Sequence, residues 1–299
     1  MINRRDLAKI GGVAMAGISL AGCSSKDAPP PAAETHTSFA SMKQVDAGVL
    51  NIGYAEDGPP TGQPVILLHG WPHDIHSYVD VAPALAAKGF RVIVPFLRGY
   101  GSTTFRSPET VRDGEQSVFA VDTIALMDAL KIEKAINLQT NLKPLSPQAE
   151  YGWWYQYYFV TDRGVAGYRQ NTADFNKLIW KNASPKWNFN DATYQRTAAS
   201  FANPDHVAIV IHNYRWRLSL APGQSQYADL ERRLSTMPVI GVPTITIGSD
   251  FDGAAADDNT YRNQFSGKYS HRILSGIGHN VPQEAPQDFA NAIADAYAM

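Results

Sequence analysis

The run Val65-Ile66-Leu67-Leu68-His69-Gly70-Trp71-Pro72 constrains the chain more than any other stretch. Four consecutive apolar residues predict a strand over 65–68 buried on both faces, as inside a parallel sheet. The run stops at Gly70-Trp71-Pro72, a tight turn, because glycine and proline end regular structure. A helix is predicted near 77–88, with Val81, Leu85 and Ala86 on one face and Gly89 ending it. A second buried strand follows over 91–95, and after it a second glycine-bearing turn, Arg98-Gly99-Tyr100-Gly101.

Either side of this unit the pattern is also readable. Short apolar segments around Val49-Leu50-Asn51-Ile52-Gly53-Tyr54 predict an antiparallel hairpin over 39–57, and Gly58-Pro59-Pro60-Thr61-Gly62 a turn. Helical spacing of Val118, Val121, Ile124, Ala125 and Met127 predicts a helix over 118–130. Lys131 to Ile136 leads toward another buried strand, but Asn137 to Pro144 is polar and stopped by proline. From 150 to 236 the composition changes to helical-looking, Asn-rich segments carrying Trp153, Trp154, Trp180, Trp187 and Trp216 and many tyrosines, which predicts an inserted helical cap. Core-like sequence returns as a strand over 239–248, then Gly248-Ser249-Asp250-Phe251-Asp252-Gly253, a strand over 269–274, Gly276-Ile277-Gly278-His279-Asn280, and a helix over 284–297 with Phe289, Ala292 and Ile293 inward.

The order strand, His-Gly turn, helix, strand, Arg-Gly-x-Gly turn resembles the start of an α/β-hydrolase. The fold class expected from that resemblance is α/β, a mostly parallel sheet flanked by helices with an inserted helical cap. At 299 residues and 44% hydrophobic content, the chain is long enough for the core this requires. Its 26 Lys+Arg and 28 Asp+Glu are mixed without blocks, so no nucleic-acid partner is expected. One cysteine, Cys23, excludes an intramolecular disulfide and any cysteine-based metal cluster. No metal and no cofactor are expected, and the partner is a small-molecule substrate or ligand.

The first residues have the pattern of a targeting segment. Arg4-Arg5 precede a short apolar run, Ile10 to Leu20, too short to span a bilayer. Asn3 to Lys9 resembles a twin-arginine export signal, with Leu7 where that motif prefers Phe. Leu20-Ala21-Gly22-Cys23 is similar to a bacterial lipobox, which implies cleavage before Cys23, lipid attachment to it, and an exported, lipid-anchored protein of the periplasm or cell envelope. The expected division is therefore a signal segment over 1–22, a proline-rich flexible tether over 23–38, hydrolase core over 39–142, cap over 143–236 and core again over 237–299.

Hydrolases of this fold use nucleophile, acid and histidine in that chain order. By the resemblance, Asp252 occupies the acid position, with Asp250 a near competitor, and His279 the base position. His69-Gly70-Trp71-Pro72 resembles the oxyanion turn of epoxide hydrolases and haloalkane dehalogenases, where the backbone N–H of Trp71 would face a developing oxyanion and the Trp71–Pro72 bond would be cis. Tyr155-Gln156-Tyr157-Tyr158-Phe159 and Asn213-Tyr214-Arg215 resemble the epoxide-hydrolase cap segments, which implies that Tyr155 and Tyr214 donate hydrogen bonds to an epoxide oxygen; Trp153, Trp154, Tyr157 and Tyr158 are expected to serve packing. The epoxide-hydrolase-like branch is preferred because dehalogenases show a tryptophan or asparagine halide pair instead.

One part of the family pattern is absent from the sequence. Between Ile136 and the cap a strand, a nucleophile elbow and a helix are expected, with the elbow written Gly-x-Ser-x-Gly or Gly-x-Asp-x-Gly-Gly. A strand–helix–strand unit takes roughly 30 residues, and here only Asn137 to Asn141 separate the incoming strand from cap-like sequence. Gly101-Ser102 lacks the second glycine and follows the wrong strand, and Ser19 lies in the signal segment. The expectation is an epoxide-hydrolase-like chain acting on a small apolar epoxide or ester, catalytically impaired for want of a nucleophile; the alternative is a ligand-binding pseudoenzyme lipoprotein.

Overall fold

A computed structural model describes residues 38–132, 147–250 and 262–299. The signal segment with Cys23, the tether through residue 37, the strand expected after Ile136, and Asp252 all lie outside the described residues.

The opening hairpin is β1 (Met42–Ala47) and β2 (Leu50–Asp57), paired antiparallel with Ala47 opposite Leu50. Next come β3 (Gln63–Ile66), a 3-10 turn (Ile75–Tyr78), α1 (Val81–Ala86) and β4 (Phe90–Pro95). β3 runs parallel to β4 with Ile66 opposite Ile93, while β2 runs antiparallel to β4 with Tyr54 opposite Pro95. The strand order is β1-β2-β4-β3, and the short β5 (Thr104–Phe105) pairs with β2. A separate parallel pair is made of β6 (Thr244–Ser249) and β7 (Tyr269–Leu274).

The doubly covered strand is β4. Val92, Ile93 and Val94 are all fully buried. Because side chains alternate along a strand, Val92 and Val94 join the cluster with α1 and the C-terminal helix (Pro286–Ala298), while Ile93 faces α2 (Gln116–Leu130) through Met127. The expectation of a strand over 65–68 buried on both faces is corrected here. β3 is shorter, over Gln63–Ile66, and its residues are exposed or only partly buried.

Two further expectations shift. The helix near 77–88 is split into the 3-10 turn and α1, with Asp74 capping the turn by accepting His76 N–H at 3.0 Å. The strand over 239–248 starts late, at Thr244, since Pro243 has no N–H to give a ladder. Upstream of it only Ile240 makes an isolated bridge, to Phe265.

Helices α3 (Pro147–Gly152), α4 (Tyr155–Val160), α5 (Asp162–Gln170), α6 (Thr172–Ala183), α7 (Asp191–Ala198), α8 (His206–Arg217) and α9 (Ala228–Ser235) form the layer over the glycine turns. Its members share the main apolar cluster through Trp180, Tyr194 and Phe201, packed with Leu67, Val94 and Phe96. Polar stitches fix the register. Trp180 Nε1 donates to Pro72 O at 2.9 Å, Thr197 Oγ1 to Asp74 Oδ1 at 2.8 Å, and Asn203 Nδ2 to Gly101 O and Thr103 O at 3.0 and 2.8 Å. Both turns that follow the parallel strands are thereby tied to the helical layer.

Candidate active site

The turn after β3 is built for rigidity. The Trp71–Pro72 bond is cis, as the resemblance implies. His69 is buried beside Tyr100, ring centroids 4.7 Å apart, and its Nε2 accepts the Leu97 N–H at 3.2 Å. Burial lowers the His69 pKa from 6.5 to about 4, so the imidazole stays neutral and can accept. Asp74, fully buried, collects His76 N–H, His76 Nδ1 and Thr197 Oγ1. Among the described residues the Trp71 N–H has no backbone acceptor, which suits a donor waiting for a ligand oxygen.

The Trp71 side chain is held from behind. Its Nε1 donates to Tyr168 Oη at 2.8 Å, and Tyr168 Oη meets His206 Nε2 at 2.9 Å. His206 Nδ1 lies 2.9 Å from Gly99 O. A carbonyl only accepts, so Nδ1 carries the hydrogen and Nε2 takes the Tyr168 proton. This relay joins Trp71 to the second glycine turn. There Arg98, nearly inaccessible, is gripped bidentately by Asp122 at 2.7 and 2.8 Å and by Asp113. Gly101 adopts φ +47°, and a Cβ there would lie 2.6 Å from the Phe96 ring, so glycine is required.

Tyr155, at the start of α4, and Tyr214, near the end of α8, both lie against Trp71, with ring centroids 5.0 and 5.3 Å away. The phenols meet edge to face at 5.5 Å, and each acts on the other's hydroxyl. Burial drives the Tyr155 pKa well up and pushes Tyr214 up to about 12 despite the nearby Arg217 charge. Both phenols therefore keep their protons at neutral pH and can serve as hydrogen-bond donors.

His279 sits on the loop after β7. Its N–H reaches Ala183 O at 3.1 Å and Ser184 Oγ at 3.0 Å. Glu284 ties this loop together, accepting Gly278 N–H at 2.8 Å, Asn280 N–H at 3.0 Å and Ser184 Oγ–H at 2.6 Å. The His279 ring is exposed at the cavity edge, 6.3 Å from the His73 ring. Asp250 is engaged elsewhere: Oδ2 accepts Lys186 Nζ at 2.7 Å and Gly276 N–H at 3.0 Å, and that pairing lowers its pKa.

Trp71, Tyr155, Tyr214 and His279 thus converge on one cavity of about 920 Å³. Asp252 and Cys23 fall outside the described residues. Trp153 and Trp154 pack against Tyr155, as expected, and also line this cavity. The packing expected for Tyr157 is corrected: it is 48% exposed and hydrogen-bonds Glu150, because it lies on the outer face of α4.

Comparison with known proteins identifies the family. Residues 63–139 match the alpha/beta hydrolase fold family. Epoxide hydrolase A of Mycobacterium tuberculosis is 33% identical over 92 residues, covering 31% of this chain and 28% of that enzyme. A haloalkane dehalogenase of Mycobacterium marinum is 38% identical over 63 residues, 21% of each chain. The chain therefore spans under a third of these curated relatives. A crystal structure from Klebsiella pneumoniae, provisionally assigned as an epoxide hydrolase, is 50% identical with a TM-score of 0.82, covering 87% of this chain and 98% of that one. The chain belongs to the α/β-hydrolase family, in its epoxide-hydrolase-like branch.

Sequence reasoning missed several residues that shape this site. Glu284, Tyr168, His206, Asp113 and Asp122 have no local motif, because each acts across a tertiary contact. The only sequence-level hint was Arg98 itself, a charged residue inside an otherwise apolar and glycine-bearing turn.

Proposed function

We propose that this hydrolase-fold protein takes small apolar epoxides or esters into the cavity, and that its turnover is impaired because the chain has no nucleophile elbow. The observation that carries the ligand part is the buried Tyr155–Tyr214 pair set over Trp71, with the Trp71 N–H unclaimed by backbone. Protonated phenols polarise a strained C–O bond without introducing charge, and an unclaimed N–H stabilises an oxyanion.

The impairment follows from the chemistry of the family. A carboxylate attacks an epoxide carbon, the C–O bond opens, a phenol protonates the released oxygen, and water activated by histidine hydrolyses the ester. His279 and Asp252 would serve the last step only. Without Gly-x-Ser-x-Gly or Gly-x-Asp-x-Gly-Gly in the chain, no ester forms for them to hydrolyse. The sequence supports a lost unit, since only Asn137 to Asn141 separate the incoming strand from cap-like sequence, too few for a strand–helix–strand unit of roughly 30 residues. The same spacing favours the second reading, a ligand-binding pseudoenzyme. We further propose the core–cap–core division at 39–142, 143–236 and 237–299, and a lipid anchor at Cys23 holding the protein in the cell envelope.

Incubation with styrene oxide and with a p-nitrophenyl ester, beside a His279→Ala variant, tests this. Ligand-induced thermal stabilisation weakened by Tyr155→Phe and Tyr214→Phe, with little or no diol or nitrophenol, is the expected result. Robust turnover abolished by His279→Ala overturns the impairment, and no stabilisation by either ligand overturns the cavity assignment.

A further inference from the structure

We propose that Arg217 makes the cavity selective for ligands that carry a carboxylate beside an aromatic body. The inference rests on the reading of this cavity as the ligand site.

Arg217 closes α8, three residues after Tyr214, so the two side chains share one face of that helix. Its guanidinium carbon lies 5.7 Å from the Tyr214 ring centroid, and its charge acts on both cavity phenols. Among the described residues no carboxylate lies within ion-pair distance of it. Neighbouring arginines differ: Arg215 pairs with Asp162 at 3.6 Å and donates to the Phe159 and Val160 carbonyls, while Arg98 is clamped by two aspartates. This half-buried guanidinium over the Tyr214 face can hold a planar anion by two parallel N–H donors.

Charge around the cavity points the same way. The described lining carries Lys181, Lys186 and Arg217 against a single carboxylate, Asp250, which Lys186 and the Gly276 N–H already occupy. Buried histidines add no compensating negative charge. Trp153, Trp154 and Phe119 offer aromatic walls on the same side. A ligand whose carboxylate sits on Arg217 places its next few atoms under the Tyr155 and Tyr214 hydroxyls, since guanidinium and phenol are one helical turn apart. An aryl glycidate, in which ring, epoxide and carboxylate are adjacent, has that spacing.

The test compares 3-phenylglycidate with its neutral amide by titration calorimetry at low and high salt. In the unaltered protein the acid is expected to bind on the order of 10- to 100-fold tighter than the amide, as one charge-assisted pair gives. Arg217→Gln should erase that gap by weakening binding of the acid, and Arg217→Lys should restore part of it. Equal affinities for acid and amide overturn the inference and leave the cavity reading standing. A gap that survives Arg217→Gln but disappears in Lys181→Gln overturns the assignment to Arg217. Binding of neither compound overturns both the inference and the reading beneath it.

Discussion

Acid should unfold this protein through its buried imidazoles, and His206 is the one to test. It is fully buried, donates from Nδ1 to Gly99 O and accepts the Tyr168 hydroxyl at Nε2, so it has no room for a second proton. Burial lowers the pKa of both His206 and His69 from 6.5 to about 4. His73 moves in the same direction, through burial and through the neighbouring His279 and His69. Unfolded chains bind the proton near 6.5 and the folded protein does not, so stability is complete above that value and is lost as pH falls toward 4. Each of the two histidines then removes about 2 kcal/mol at pH 5 and about 3 kcal/mol when fully protonated. A combined loss of about 4 kcal/mol at pH 5 is a large part of a typical stability of about 5–15 kcal/mol. Urea denaturation followed by tryptophan fluorescence across pH 7.5 to about 5 reads this as a falling midpoint at constant slope. His206→Gln keeps a donor and an acceptor in place but does not titrate, and should recover about 2 kcal/mol of the loss at pH 5. A midpoint independent of pH, or an identical pH dependence in His206→Gln, would refute the reasoning.

Two substitutions at the second glycine turn test how it is held. Arg98→Met leaves Asp113 and Asp122 buried without their cation and should destabilise the protein by about 3–5 kcal/mol in urea denaturation; a loss under 1 kcal/mol would contradict the clamp. Gly101→Ala forces a Cβ into the Phe96 ring at a left-handed backbone position, and a Tm drop matching about 2–4 kcal/mol is expected.

The elements legible in the sequence were those whose signal is local. The hairpin, β4, α2, β7 and the C-terminal helix follow from alternation or helical spacing, and the cap from its change in composition. The twofold burial of 65–68 was misjudged because an apolar run does not reveal what packs on each face of a strand; β4 carries the same kind of run and is the covered one. Pro243 delayed β6 by removing a ladder donor, a local signal that the apolar run around it masked. At the site, short motifs point to Trp71, Tyr155, Tyr214 and His279, and all four line one cavity. Their supports were not: Tyr168 lies 97 residues from Trp71, and Glu284 joins Ser184 across 100 residues, separations at which sequence carries no pairing information. Asp252 lies outside the described residues, and the resemblance alone speaks for it.

The proposed function has a cavity that receives an epoxide in a chain without a nucleophile elbow to attack it. Intact-mass spectrometry of the full chain after incubation with styrene oxide, with diol measured in the same sample, tests that claim most directly. The account predicts an unmodified protein mass and no diol above the background reaction. A transient gain of one epoxide mass, trapped in His279→Ala and released as diol by the unaltered protein, would contradict it.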